Sequence, residues 1–188
     1  TKLYNRLWTD SGSPILLHLE NLRERLQSAL GKSHPVYAAM RYGNPSIQSV
    51  LSAIDQSGVE EVLVLPLFPQ YASSTTGSIV HTVQKHQKKL QNIRDIKFIR
   101  QFYDDPGFIH AFCKRIAGYQ PDTFDHIIFS CHSLPERHVQ QIHPEHRVHG
   151  CVCEQKMPVY GKECYKATSY QTARLIANAL NISQDKYT

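Results

Sequence analysis

The chain has 188 residues and a net charge of +5, from 21 Lys and Arg against 16 Asp and Glu. That length suits one large domain or a domain with an appendage. It can bury roughly 70% of the unfolded surface, so disulfides are not needed to hold it together. The mild positive charge fits a carboxylate-bearing substrate or a weak tendency toward membrane surfaces, and with no basic block interleaved with aromatics it speaks against nucleic acid.

Tyr4 to Trp8 reads as an irregular entry, and Thr9 to Pro14 as a turn. Ser13 is a good N-cap with Pro14 at the first helical position, so a helix is expected over 15–30, with Leu16, Leu19, Leu22, Leu26 and Leu30 on one stripe and Gly31 as its cap. A short strand is expected over 36–40, ending in Arg41-Tyr42-Gly43-Asn44-Pro45, then a helix over 46–56 closed by Gly58. Residues 60–68 give the clearest strand signal. Val62-Leu63-Val64-Leu65 is apolar without alternation, which predicts burial on both faces, as in a parallel sheet. After the loop 69–78 come a helix to about residue 91, a strand over 96–100, a helix over 106–117 and a strand over 126–131. Residues 137–161 read as irregular and 163–180 as a last helix. Strands alternating with helices at crossover spacing give an α/β fold with a mainly parallel sheet. No run of about 18 apolar residues marks a membrane span, and the start of the chain has no signal-peptide core.

The loops 41–45, 68–78 and 132–137 each follow the C-terminal end of an expected strand. In an open α/β sheet those ends lie along one edge, where ligands bind, so Arg41, Tyr42, the Ser73–Ser78 run and His132 are expected to share a cleft. A strand-end His is a common way to place a base. Nucleotide motifs are absent: Gly31-Lys32-Ser33 ends a helix instead of opening one, and no GxGxxG follows a strand. Six of the eleven histidines lie between His126 and His149, and those at 138, 143, 146 and 149 read as solvated loop residues. Five cysteines, unevenly placed, suit a reducing compartment such as the cytoplasm. Cys131, Cys151, Cys153 and Cys164 are either free thiols or four ligands for an iron–sulfur cluster or a tetrahedral zinc. The length of loop 137–161 suggests a function of its own.

Ser130-Cys131-His132-Ser133-Leu134-Pro135-Glu136 resembles a signature of the ferrochelatase family. So do Leu67-Phe68-Pro69-Gln70-Tyr71-Ala72-Ser73-Ser74-Thr75-Thr76-Gly77-Ser78, the block Tyr4 with Gly12-Ser13-Pro14, and Met40-Arg41-Tyr42 with Pro45, all in family order. The resemblance implies a Rossmann-like, three-layer αβα chelatase fold and insertion of ferrous iron into a porphyrin, protoporphyrin IX foremost, to form haem. It implies His132 as the catalytic imidazole at the Fe²⁺ substrate, Tyr4, Ser13, Arg41 and Tyr42 as porphyrin-binding residues, and no cofactor for the chemistry itself. Some bacterial relatives hold a [2Fe-2S] cluster in this internal region, which makes Cys131, Cys151, Cys153 and Cys164 its candidate ligands. The resemblance divides the chain into most of a first α/β domain (1–136), a Cys/His-rich insert (137–161) and a helix leading toward a second domain (162–188). That second domain would carry the acidic partner of His132, so this chain alone is expected to have little activity. A non-catalytic tetrapyrrole- or metal-binding module, and a chelatase for another tetrapyrrole, are the alternatives.

Overall fold

The computed structural model describes residues 8–10, 12–143 and 147–188. The chain forms two compact units, one of residues 1–61 with 82–95, the other of 62–81 with 96–188.

In the first unit, α1 (Pro14–Leu30) follows Ser13, whose extended backbone and the ring of Pro14 set the helix start. Gly31 ends it at φ 71, in the left-handed region. Its leucine stripe forms as spaced, yet none of its residues is buried, and Leu16, Leu22 and Leu30 stand exposed. In α2 (Ile47–Gln56) the Ser46 hydroxyl accepts the Ser49 N–H, and Ile47, Leu51 and Ile54 are buried. Asp55, at its end, organises the 91–93 turn. Its carboxylate accepts the N–H groups of Gln91, Asn92 and Ile93 at 2.7–3.1 Å. These bonds, that from Gln91 foremost, hold its pKa below the usual carboxylate value.

The strand expected over 36–40 does not form. The Gln27 side chain takes the Val36 N–H at 2.8 Å, and Met40 donates to the Pro45 carbonyl of its own loop. With those donors used locally, only a single parallel bridge, Met40 to Ser46, remains.

In the second unit, β1 (Glu61–Val64) pairs in parallel with β2 (Asp95–Phe98), the two strands reaching back by one residue each into the first unit. This is the α/β architecture expected, with a two-stranded sheet among the described residues. β1 is shorter than 60–68 because Pro66 and Pro69 have no N–H to donate. It alternates in burial, and Leu63 is 62% exposed, which corrects the expectation of two buried faces.

A π-helical turn, Ser73–Gly77, then leads into α3 (Ser78–Gln87). Gly77 lets the Tyr71 side chain come close, since a Cβ there would meet its hydroxyl at 2.9 Å. Next comes α4 (Pro106–Ala117), capped by the Asp105 carboxylate on Phe108 N–H at 3.0 Å. The strand expected over 126–131 is reduced to one bridge, Ile127 to Tyr187. Its partner is the three-residue stretch 186–188, too short for a ladder.

Among the described residues of 137–161 the chain is irregular apart from α5 (Arg137–Gln140) and the turn Val152–Glu154. The last helix, α6 (Tyr165–Ala179), packs on α4 through Ile109, Cys113 and Ile176. Its N-terminal end packs on the insert through Cys164 and Ala167.

Candidate functional site

The loops that leave β1 and β2 are tied together within the second unit. Phe102 N–H donates to the Pro69 carbonyl at 2.9 Å, and the Arg100 guanidinium lies 4.9 Å from the centre of the Tyr71 ring. Gln70 donates to the Thr172 hydroxyl on α6 at 3.0 Å. The π-helical turn that follows is a geometry often found at functional sites. Within it Thr76 is fully buried and its hydroxyl has no partner among the described residues.

His132 is exposed, on the loop after Ile127. Its backbone is held from α6: the Tyr165 hydroxyl donates to the His132 carbonyl at 2.9 Å. Burial raises the Tyr165 pKa, which keeps that hydroxyl protonated and able to donate. An imidazole free to meet solvent on a backbone fixed by a neighbouring helix suits proton exchange with an external ligand.

A second constellation lies in the same unit and is buried. His143, Cys153 and Cys164 bring one donor atom each within 4.8 Å of one another. His143 Nε2 is 3.0 Å from Cys164 Sγ and 4.0 Å from Cys153 Sγ. Its Nδ1 is 3.1 Å from the Arg147 carbonyl, an acceptor, so Nδ1 carries the hydrogen. The residues are held by local packing. Cys164 is the N-cap of α6, and Cys153 sits in the Val152–Glu154 turn, whose carbonyls accept from Arg174 on α6. Lys166 on α6 pairs with Glu154 at 2.6 Å. Val139, Val148 and Ala167, with Ile142, Met157 and Tyr160, complete the surround. Burial is the first cause that lowers the His143 pKa and that pushes the Cys153 thiol up, so without a metal these two side chains favour their neutral forms.

The residues singled out from the sequence are distributed as follows. Tyr4 lies outside the described residues, as does His146. Ser13, Arg41 and Tyr42 belong to the first unit. Ser13 precedes α1 without a side-chain cap, and the Arg41 guanidinium stacks 4.5 Å from the centre of the Tyr42 ring. His132 and the four cysteines belong to the second. Cys153 and Cys164 come together there, and Cys151, a free thiol, packs against the same cluster. Cys131 is exposed and outside the group. Of the four cysteines proposed for a [2Fe-2S] cluster, the fold gathers Cys153 and Cys164 together with His143.

His143 corrects the reading of it as a solvated loop residue: it is 3% exposed. The signal was present, since Val139, Ile142 and His143 stand at i, i+3 and i+4, a spacing that places all three on one helical face. His149 is exposed, with Nε2 2.9 Å from the Glu136 carboxylate.

Comparison with known proteins bears on the whole chain. The family model described as Ferrochelatase matches residues 1–188. A ferrochelatase of Legionella pneumophila is 40% identical over 190 residues, which cover 98% of this chain and 54% of the relative. One of Coxiella burnetii is 35% identical over 198 residues, covering 99% and 52%. The chain thus spans about half the length of the relatives it matches.

Proposed function

Since this chain belongs to the ferrochelatase family, we propose that the protein it forms part of inserts ferrous iron into a porphyrin, protoporphyrin IX foremost, as a step of haem synthesis in a reducing compartment such as the cytoplasm. The observation that carries this reading is the exposed imidazole of His132 on a loop braced by Tyr165. Metal insertion requires two pyrrole N–H groups to lose their protons as the nitrogen lone pairs turn to Fe²⁺. In this reading His132 accepts one of those protons and returns it to solvent, and the second leaves to water. Imidazole is the side chain most often used to accept a proton in this way. Tyr4, Ser13, Arg41 and Tyr42 contribute to porphyrin binding. The acidic group expected to work with His132 lies outside this chain.

The test is metal insertion into a soluble porphyrin by the full-length protein, followed as loss of porphyrin fluorescence, with and without His132→Ala. Loss of a general base lowers rates by about 10²–10⁴-fold, and a drop of that order is expected with porphyrin binding retained. Undiminished turnover by the variant would remove His132 from this role. Porphyrin binding without insertion by the intact protein would make it a tetrapyrrole-binding module instead.

A further inference from the structure

We propose that His143, Cys153 and Cys164, with Cys151 as fourth ligand, hold a single tetrahedral zinc ion that staples the 137–161 insert to the start of α6. Two thiolates and an imidazole are a donor set suited to zinc. Zn–S bonds of about 2.3 Å and Zn–N bonds of about 2.0–2.1 Å place neighbouring ligand atoms roughly 3.6–3.8 Å apart around one ion. The two Nε2 to Sγ distances, 3.0 and 4.0 Å, bracket that spacing, and all three donors lie within 4.8 Å of one another. A two-iron cluster divides four ligands between two metals and needs a wider cage. The three gathered donors, all within 4.8 Å of one another, match the ligand spacing of one ion.

The imidazole is set as zinc-binding histidines are. Nδ1 donates to the Arg147 carbonyl, which fixes the ring and points the Nε2 lone pair at the thiols. Cys153 and Cys164 are 0% exposed, so the site is closed to substrate, as structural zinc sites are. Cys151 is half-buried, packs against the same cluster and stands two residues before Cys153; it lies outside the 4.8 Å group, and a turn of its side chain toward the three donors would supply the fourth ligand.

The segment also has need of a staple. Between residues 137 and 161 the buried apolar residues, among those described, are Val139, Val148 and Cys153, which is little core for a 25-residue stretch. The Val152–Glu154 turn is already drawn onto α6 by Arg174 and Lys166, which sets Cys153 beside Cys164.

The experiment measures metal in the full chain carrying His132→Ala, so that metal bound as chelation substrate is not counted. About one zinc per chain, no labile sulfide and no colour are expected. Cobalt substitution should give thiolate-to-cobalt charge transfer and the strong d–d absorption of tetrahedral Co²⁺. X-ray absorption at the zinc edge should give a mixed sulfur and nitrogen shell. Cys153→Ser and Cys164→Ser should lose the ion, and Cys131→Ser should keep it. The cobalt and edge spectra need no ligand variant, so misfolding of a cysteine variant does not spoil the test. Two irons with labile sulfide would overturn the proposal in favour of a cluster. A chain free of metal after purification and reconstitution would reduce the group to a thiol–imidazole hydrogen bond. Loss of zinc from Cys131→Ser would refute the ligand set. None of these readouts depends on chelatase activity.

Discussion

His132 and His143 belong to the same unit, are both loop residues and are treated by the fold in opposite ways. His132 faces solvent, and what fixes it is a bond to its own backbone carbonyl. His143 is buried, and what fixes it is a bond to its ring, with the second nitrogen turned on two buried thiols. An imidazole that must exchange protons or metal with a ligand needs an open ring on a fixed backbone. One that serves architecture needs a fixed ring and no access. Burial and the atom that is held separate the two uses where residue type cannot.

The largest break in that comparison comes from His132→Ala, expected to lower insertion by about 10²–10⁴-fold while zinc content stays unchanged. If insertion and zinc fell together, the two histidines would not be independent.

Cys164→Ser tests the other side. Structural zinc in small peptides is worth about 10–16 kcal/mol of apparent binding free energy. Its loss should therefore open the insert, read as fast hydrogen exchange at amides 147–164 while those of α4 stay protected. Unchanged protection would mean that packing alone holds the segment.

Gly161→Ala comes next. A Cβ there would collide with Met157 Sδ and the Pro158 ring, at a cost of about 1–3 kcal/mol of overpacking. A lower thermal midpoint with zinc retained is expected, and an unchanged midpoint would show that Met157 swings aside freely.

Tyr165→Phe removes the bond to the His132 carbonyl, worth about 0.5–1.5 kcal/mol. Insertion should slow by up to about tenfold, with zinc and midpoint nearly unaffected. No change in turnover would leave His132 positioned by its own loop.

Asp55, in the first unit, is the control. Its folded pKa lies below the ordinary 3.8, so the unfolded chain binds the proton more readily. Its contribution is full above pH 3.8 and is lost as pH falls through the lowered folded value. Asp55→Asn should flatten the acid limb of a stability–pH curve, and an unaltered limb would mean that its three N–H bonds matter little.

Much of the fold was legible where signals are local. The α4 bounds, 106–117, match the expectation because Asp105 caps, Pro106 opens and Gly118 closes within one stretch of chain. The same holds for α1, between Ser13 and Gly31. The expected strands at 36–40 and 126–131 shrank to single bridges because a strand is a property of its partner. Gln27 took one donor of the first, and the second met a stretch of three residues. The leucines of α1 and Leu63 of β1 show the same limit, since apolar spacing tells which face an element offers and not what meets it.

In the insert, the cysteines were visible as donors, but choosing among them needed three dimensions. Cys131 is nearest in sequence to the catalytic candidate, is exposed and stands apart from the gathered donors. His143 was hidden among four histidines of similar setting, and its spacing from Val139 is the one trace it left.

Cys164 and Tyr165 are consecutive residues with separate duties, one facing the buried donors and the other holding the His132 carbonyl. A single planar peptide joins them, fixing their Cα atoms about 3.8 Å apart. So short a link leaves few dihedrals in which a displacement at the sulfur could be absorbed. Oxidation or metal stripping deep in the insert is thus placed to disturb the alignment of an imidazole at the surface.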